Sequence, residues 1–386
     1  MADTTIIILG ASTRAAAMSA RRAGWTLWCA DLFADADLER LATVRKVPID
    51  AYPHGLLDAL ADAPQAPVIY TGALENRPDL IAKIDRPLWG NSADLLRKVR
   101  SPEQWTTCLL EGGLPCPRIS SKAEPTGQWL LKPRKSGGGF GIHTHNRQPF
   151  ESRVHFLQER IDGLPCSAAF LGANGQAFLL GVTQQLIGTP WLNATGFHYA
   201  GSIGPLPLDL KTLETWRQIG VSLVTTFGLR GLFGVDAILR DGVPWPVEVN
   251  PRYSASVEVL ERAQRVSLLT MHAAAFSPAP IDLANRLPCT LTPGPSPGGR
   301  GEQEVCGKAI LFARQTLVLP AEGPWLGALE PGVGLNQIEY ADIPHAGETI
   351  EQGRPVLTLF ASAPTVADCT VKLQEKAQAL DRRLWG

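Results

Sequence analysis

Short apolar runs alternate with amphipathic stretches along the first hundred residues. Thr5–Leu9 is an unbroken apolar run followed by the turn Gly10-Ala11-Ser12. Arg14–Ala23 is Ala-rich and predicts a helix, while Thr26–Ala30 and Pro67–Thr71 predict further strands. Buried runs separated by helical stretches imply βαβ units, hence a parallel sheet with helices on its faces. The turn Gly10-Ala11-Ser12-Thr13 lacks the full G-x-G-x-x-G fingerprint, which argues against a dehydrogenase built on Met1–Asn91.

The pattern changes at Pro102. Pro102–Gly112 is helical in character and is stopped by Gly113, Pro115 and Pro117. Trp129–Lys132 predicts a strand, the Gly-rich turn Ser136–Gly141 follows, and Phe156–Ile161 predicts another strand. Ser167–Leu171 and Ala177–Val182 read as a hairpin about Asn174-Gly175. A helix at Leu213–Phe227 precedes strands at Phe233–Leu239 and Trp245–Val249, joined by Asp241-Gly242. Leu291–Glu302 is almost wholly Pro, Gly, Ser and Thr, too poor in apolar surface to order itself, and reads as a flexible linker or insert. Strands at Lys308–Phe312 and Val356–Phe360 and a final helix at Val366–Leu384 complete the chain. The expected fold class is α/β and α+β. An N-terminal α/β domain spans 1–97, a two-lobed core spans 98–275 with its lobes meeting near 165/166, a linker spans 276–305, and a small β-rich region spans 306–386.

Composition narrows the function. A chain of 386 residues holds two or three domains. With 36 Lys+Arg against 37 Asp+Glu there is no basic excess to neutralise a run of phosphates, so nucleic acid is not an expected partner. The tryptophans are dispersed and form no stacking platform. Seven cysteines, none in a C-x-x-C pair, argue for reduced thiols rather than zinc or a disulfide framework. No signal-peptide pattern or membrane-length apolar run is present, so a cytoplasmic protein without a membrane partner is expected.

Two constellations carry chemistry. Lys132 ends an apolar strand, and four residues later Ser136, Gly137, Gly138 and Gly139 offer backbone N–H groups that phosphate oxygens can approach closely. A plain hairpin turn is the competing reading. With so little side chain the loop is expected to pack weakly unless a triphosphate is bound. Asp236 lies across the Asp241-Gly242 turn from Glu248 and Asn250, which share one strand face. Two carboxylates and an amide form a hard-oxygen site suited to Mg²⁺, or Mn²⁺ in its place; a solvated sheet face is the alternative. His143 and His145 have no third ligand nearby and read as loop histidines. His198 and Tyr199, beside Gly201-Ser202, and Glu75, after a strand's C-terminal end, are candidate substrate contacts.

In order, the strand lysine, the Gly-rich loop, the run Gln158-Glu159-Arg160-Ile161-Asp162-Gly163, and Asp236 twelve positions before Glu248-Val249-Asn250-Pro251-Arg252 resemble the ATP-grasp superfamily. Biotin carboxylase and D-alanine–D-alanine ligase belong to it. Leu109–Pro117 matches the helix and turn that open that fold. The resemblance spans Ser92 to Arg262, and Met1–Asn91 resembles the α/β domain that precedes it. It implies that Lys132 binds the α/β-phosphates of ATP and that Ser136–Gly139 form a lid. It also implies that Gln158, Glu159, Arg160 and Ile161 line the adenine end, that Asp236, Glu248 and Asn250 ligate Mg²⁺, and that Arg252 stabilises the transferring phosphoryl group or the acyl-phosphate.

The family's usual Asp-Lys pair before the opening helix is replaced here by Arg97-Lys98-Val99-Arg100, so Lys98 joins the ATP set with Arg100 as its alternative. Gly163-Leu164-Pro165-Cys166 stands where the family's ribose-binding Glu is usual. Gly181–Gly188 and Phe197–Pro205 resemble a carboligase subgroup that includes tyramine–glutamate ligases, which implies an amino acid or cofactor precursor as substrate. The implied activity is ligation of a small-molecule carboxylate to an amine through an acyl-phosphate, with assembly as a homodimer left open. A nucleotide-binding regulatory protein without turnover is the alternative.

Overall fold

The computed structural model describes residues 4–122, 126–277 and 304–386. The expected linker at Leu291–Glu302 lies outside the described residues.

The N-terminal domain carries a four-stranded parallel sheet in the order β3-β2-β1-β4, from β1 (Thr5–Gly10), β2 (Thr26–Asp31), β3 (Thr43–Lys46) and β4 (Val68–Tyr70). Helix α1 (Arg14–Arg22) makes the first crossover. Alternate residues of β1 serve opposite faces: Ile6 and Ile8 join the core shared with the central sheet, and Ile7 and Leu9 join the other. Two-sided burial is why Ile6–Leu9 carries no polar position.

Helices α2 (Ala93–Val99) and α3 (Pro102–Glu111) lead into the first lobe. Ser92 caps α2 by accepting from Leu95 N at 3.4 Å, and Pro102 opens α3, where its missing N–H costs nothing. The lobe is a small antiparallel sheet in the order β5-β8-β6-β7, built from β5 (Ile119–Ser120), β6 (Trp129–Pro133), β7 (His143–Thr144) and β8 (His155–Glu159).

The second lobe rests on an eight-stranded sheet in the order β13-β12-β9-β10-β11-β14-β18-β16. Its strands are β9 (Leu164–Ala173), β10 (Gln176–Ile187), β11 (Tyr199–Gly204), β12 (Gly231–Arg240), β13 (Val243–Asn250) and β14 (Val305–Phe312), then β16 (Tyr340–Ala341) and β18 (Pro355–Ala363). A separate pair joins β15 (Leu317–Val318) to β17 (Thr349–Ile350). On β9, Cys166, Ala168 and Phe170 pack toward α3 and α4 (Leu210–Phe227). Ala169, Leu171 and Ala173 pack toward α5 (Ala255–Gln264) and α6 (Leu268–Ala275).

The C-terminal strands continue this sheet, with β14 pairing to both β11 and β18. Helix α7 (Val366–Trp385) covers them in a core shared with Leu186, Ala200 and Ile203 of the second lobe. A buried ionic network ties the three regions together. Arg14 on α1 pairs with Glu258 on α5 and donates from Nε to Asp342 Oδ1 at 2.9 Å, and Lys308 on β14 donates to Glu258 Oε2 at 2.7 Å. The six described cysteines are free and buried, as their spacing predicts. Among the described residues no helix is long and apolar enough to cross a membrane.

Candidate active site

The floor of the site is the β12–β13 hairpin, closed by Asp241 and Gly242 at positive φ of 53° and 75°. Its register sets Asp236 opposite Glu248. Asp236 Oδ2 accepts from Asn250 Nδ2 at 3.0 Å, and Oδ1 accepts from Gln185 Nε2 at 3.1 Å. Gln185 was not singled out from sequence, although the run Gly181–Gly188 containing it carried the subgroup resemblance. Opposed carboxylates repel. Burial, and then Glu248, pushes Asp236 up to about 6. Burial also opposes ionisation of Glu248, but Arg100 and Lys132 outweigh it and hold this carboxyl below its ordinary range.

The first lobe reaches this floor directly. Lys132 Nζ donates to Gln158 Oε1 and to Val247 O, each at 3.1 Å, and Gln158 Nε2 donates to the same carbonyl at 3.1 Å. Burial lowers the Lys132 pKa, with Glu248 and Asp236 opposing. Gln158 is therefore committed to holding Lys132. Arg100, at the C-terminal end of α2, donates from Nη1 to Glu248 Oε1 and Val249 O, each at 2.8 Å, and from Nε to Asn76 Oδ1 at 3.1 Å. The structure corrects the placement of Lys98: Leu96 and Val99 turn α2 inward, Lys98 lies exposed on the opposite side, and Arg100 is the cation delivered to the site.

The Gly-rich loop packs more closely than its composition predicts, and its backbone is the reason. Tyr199 N donates to Gly138 O at 3.0 Å, Ser136 Oγ donates to Phe140 O at 2.6 Å, and Asn76 Nδ2 donates to Ser136 O at 3.0 Å. The Phe140 and His198 rings lie 4.3 Å apart. Gly139, at φ 80°, comes so near the next loop that a Cβ would stand 1.8 Å from Phe197 O.

Loop, hairpin and first lobe enclose a cavity of about 370 Å³ lined by Lys132, Gly137–Gly139, Tyr199, Asp236, Glu248 and Arg252. The same cavity is also lined by Glu159, Arg160 and Ile161 with the apolar side chains of Leu130, Ile142 and Ile187. The Glu159 carboxylate is turned to Arg118, with Nε to Oε2 at 3.2 Å. Tyr199 belongs to this cavity, its hydroxyl 2.8 Å from Ser202 Oγ.

Arg252 lines this cavity as well. Its Nε donates to Glu75 Oε1 at 2.7 Å and its Nη2 to Asn250 Oδ1 at 3.3 Å. Glu75, expected as a substrate contact, is 1% exposed and sits behind Arg252 as its buttress. His198, also expected there, packs tilted against the Phe140 ring and lines neither this cavity nor the larger one below.

A larger cavity of about 690 Å³ opens on the far side of Arg252, between the N-terminal domain and the C-terminal strands. Arg252, Ser254 and Ala255 line both cavities. The donor set for a divalent cation is Asp236 and Glu248, whose mutual repulsion a cation would relieve; Asn250 would have to release Arg252 to offer its Oδ1. Among the described residues no group of three or more His, Cys, Asp or Glu is placed to hold a metal, so the remaining ligands would be phosphate oxygens and water. His143 is exposed, and His145 packs edge-on to Phe150.

A two-lobed fold with a Gly-rich loop closed over a cation cluster and paired carboxylates defines a class of nucleotide-dependent phosphoryl-transfer proteins. Residues 104–256 match the ATP-grasp domain, and the chain carries an ATP-grasp domain. Over 385 aligned residues it is 23% identical to an uncharacterized protein of Methanocaldococcus jannaschii, covering 92% of this chain and 87% of that one. It is 32% identical over 122 residues to the formate-dependent phosphoribosylglycinamide formyltransferase of Burkholderia mallei, covering 32% of this chain and 29% of that enzyme. The fold is similar to N5-carboxyaminoimidazole ribonucleotide synthetase from Thermus thermophilus, with TM-score 0.65, 15% identity and 98% of each chain covered. It is also similar to L-amino acid ligase from Bacillus licheniformis, with TM-score 0.67, 15% identity and 97% of each chain covered.

Proposed function

We propose that the chain is an ATP-dependent ligase that joins a small-molecule carboxylate, from an amino acid or cofactor precursor, to an amine. The observation that carries this reading is that two cavities meet at Arg252, one lined by cations, glycine amides and paired carboxylates, the other open to a second ligand. ATP occupies the smaller cavity, its ring beside Glu159–Ile161 and its phosphates beside Lys132 and Arg100. Asp236 and Glu248 would hold Mg²⁺, which would supply charge neutralisation and alignment of the phosphates. Glu75 fixes the Arg252 guanidinium where the two cavities join, so its positive charge faces the carboxylate that receives the γ-phosphoryl group. The carboxylate oxygen takes the phosphoryl group as the bond to ADP breaks. The amine then attacks the acyl carbon and gives up a proton to solvent, the bond between that carbon and the bridging oxygen breaks, and inorganic phosphate leaves with the bond's electron pair on that oxygen.

This sequence needs no protein nucleophile, in keeping with buried cysteines whose burial pushes Cys29 and Cys166 up to about 12. The test is ADP formation from MgATP across a panel of amino acids and amines, with hydroxylamine added to trap the acyl-phosphate as a hydroxamate. Carboxylate-dependent ADP and hydroxamate are expected. Nucleotide binding with no ADP or hydroxamate from any carboxylate would instead favour a regulatory protein.

A further inference from the structure

The larger cavity contains one buried carboxyl group that the protein leaves uncommitted. Asp35 is 7% exposed, lines the cavity, and its carboxylate makes no hydrogen bond or ion pair among the described residues. The other buried charges on the wall are engaged. Asp342 accepts from Arg14 Nε at 2.9 Å and from Thr358 Oγ1 at 2.5 Å, Lys308 donates to Glu258 at 2.7 Å, and Arg252 is held by Glu75. Lys46, Glu351 and Arg354 are exposed and lie at the mouth. Burying a carboxylate without a partner is costly, and its neighbours add to the cost. Burial, and then Asp342, Asp37 and Asp31, hold the Asp35 carboxyl well above the usual range. A ligand that brings positive charge removes both penalties at once.

The walls say what kind of cation fits. Leu32, Phe33, Ile310, Ile350, Val356 and Leu357 supply an apolar lining beside Asp35. A bare metal ion would find no use for that surface and, among the described residues, no third carboxylate or imidazole to ligate it. We propose that this cavity is the binding site for the amine substrate, a primary ammonium compound with an apolar or aromatic body, whose nitrogen is held by Asp35. Its role as the second substrate rests on the ligase reading above. The cavity reaches Arg252, Ser254 and Ala255, so the amine, once its ammonium has given a proton to the Asp35 carboxylate, has a continuous path to the phosphate end of the nucleotide cavity.

The test is calorimetric binding of three probes of similar shape to the full chain: 2-phenylethylamine, 2-phenylethanol and 3-phenylpropionate. The amine is expected to bind at least tenfold more tightly than the alcohol, and the acid not at all. Asp35→Asn should bring the amine down to the level of the alcohol while leaving MgATP affinity unchanged. The comparison among probes needs no variant, so it stands even if the substitution disturbs folding. Equal binding of amine and alcohol, preference for the acid, or no saturable binding of the amine at millimolar concentration would overturn the assignment. MgATP titrated separately keeps the two readings apart: nucleotide binding without amine preference removes this inference alone, and amine preference without nucleotide binding removes the ligase reading and the substrate role while leaving Asp35 as the ammonium site.

Discussion

Arg100 Nη1 lies 2.8 Å from Glu248 Oε1, while its Nε and Nη2 both hold Asn76 Oδ1, so one guanidinium joins the N-terminal domain to β13. A cation so fixed does not have to be ordered when phosphate arrives. Arg100→Ala should therefore weaken MgATP by roughly 10- to 100-fold, the range for a lost charge-assisted hydrogen bond. Lys98→Ala should change MgATP affinity by less than about twofold, as expected of an exposed charge. Calorimetric titration of both variants decides between the two cations. A large loss in Lys98→Ala would overturn the choice of Arg100.

Glu248→Gln should leave the fold intact and reduce Mg²⁺-dependent ADP formation by roughly 10²-fold or more, since the proposed metal site loses one of its two charged ligands. The amide keeps the shape of the side chain and can still accept from Arg100, so circular dichroism should not change. Near-normal turnover would remove Glu248 from the metal site.

What the sequence disclosed, and what it hid, divides by distance along the chain. Asp236, Glu248 and Asn250 were legible because a two-residue turn and strand alternation place them together without any tertiary knowledge. The run of apolar residues in β1 likewise reported burial on both faces. Arg14 was legible only as the first residue of an Ala-rich helix, yet it is 1% exposed and meets Glu258 and Asp342, partners 244 and 328 positions away. No local periodicity carries such pairings. Asp35 was hidden for the same reason, its cavity being closed by β-strands three hundred residues further on. Glu75 was located correctly at a strand's end, but only the structure shows that it serves Arg252 and not a ligand.

Glu261 offers a test of the buried interface between the N-terminal domain and α5. Its carboxylate accepts from Leu268 N at 2.6 Å and from Tyr253 Oη at 2.8 Å, and also pairs with Ser19. Burial outweighs Arg22 and these hydrogen bonds and pushes it up to about 7. A folded-state pKa above the unfolded value of 4.5 means that its contribution to stability is full below 4.5 and is lost as pH rises through 7. Glu261→Gln removes that titration. Relative to the unaltered chain, the variant should gain about 1–3 kcal/mol between pH 5.5 and pH 8. Urea unfolding at both pH values measures the difference. A difference that does not move with pH would show that Glu261 is ionised throughout.

The loop glycines separate phosphate binding from ring binding. Gly139 sits at φ 80°, and a Cβ there would stand 1.8 Å from Phe197 O, a backbone atom that no rotamer change can remove. Gly137, two residues earlier, has open space around it. Gly139→Ala must therefore push the loop off the Phe197–Tyr199 segment, breaking the bond from Tyr199 N to Gly138 O. The left-handed backbone adds about 1–2 kcal/mol of strain for any L side chain. With the loop displaced, its amides no longer face the end of the cavity that holds Lys132 and Glu248, while the lining at Glu159–Ile161 is untouched. Gly139→Ala should lose at least tenfold in ATP affinity and keep its affinity for adenosine, and Gly137→Ala should resemble the unaltered chain with both. Equal losses for ATP and adenosine would place the loop over the ring. No loss for either would mean that docking against Phe197 has no part in holding the triphosphate.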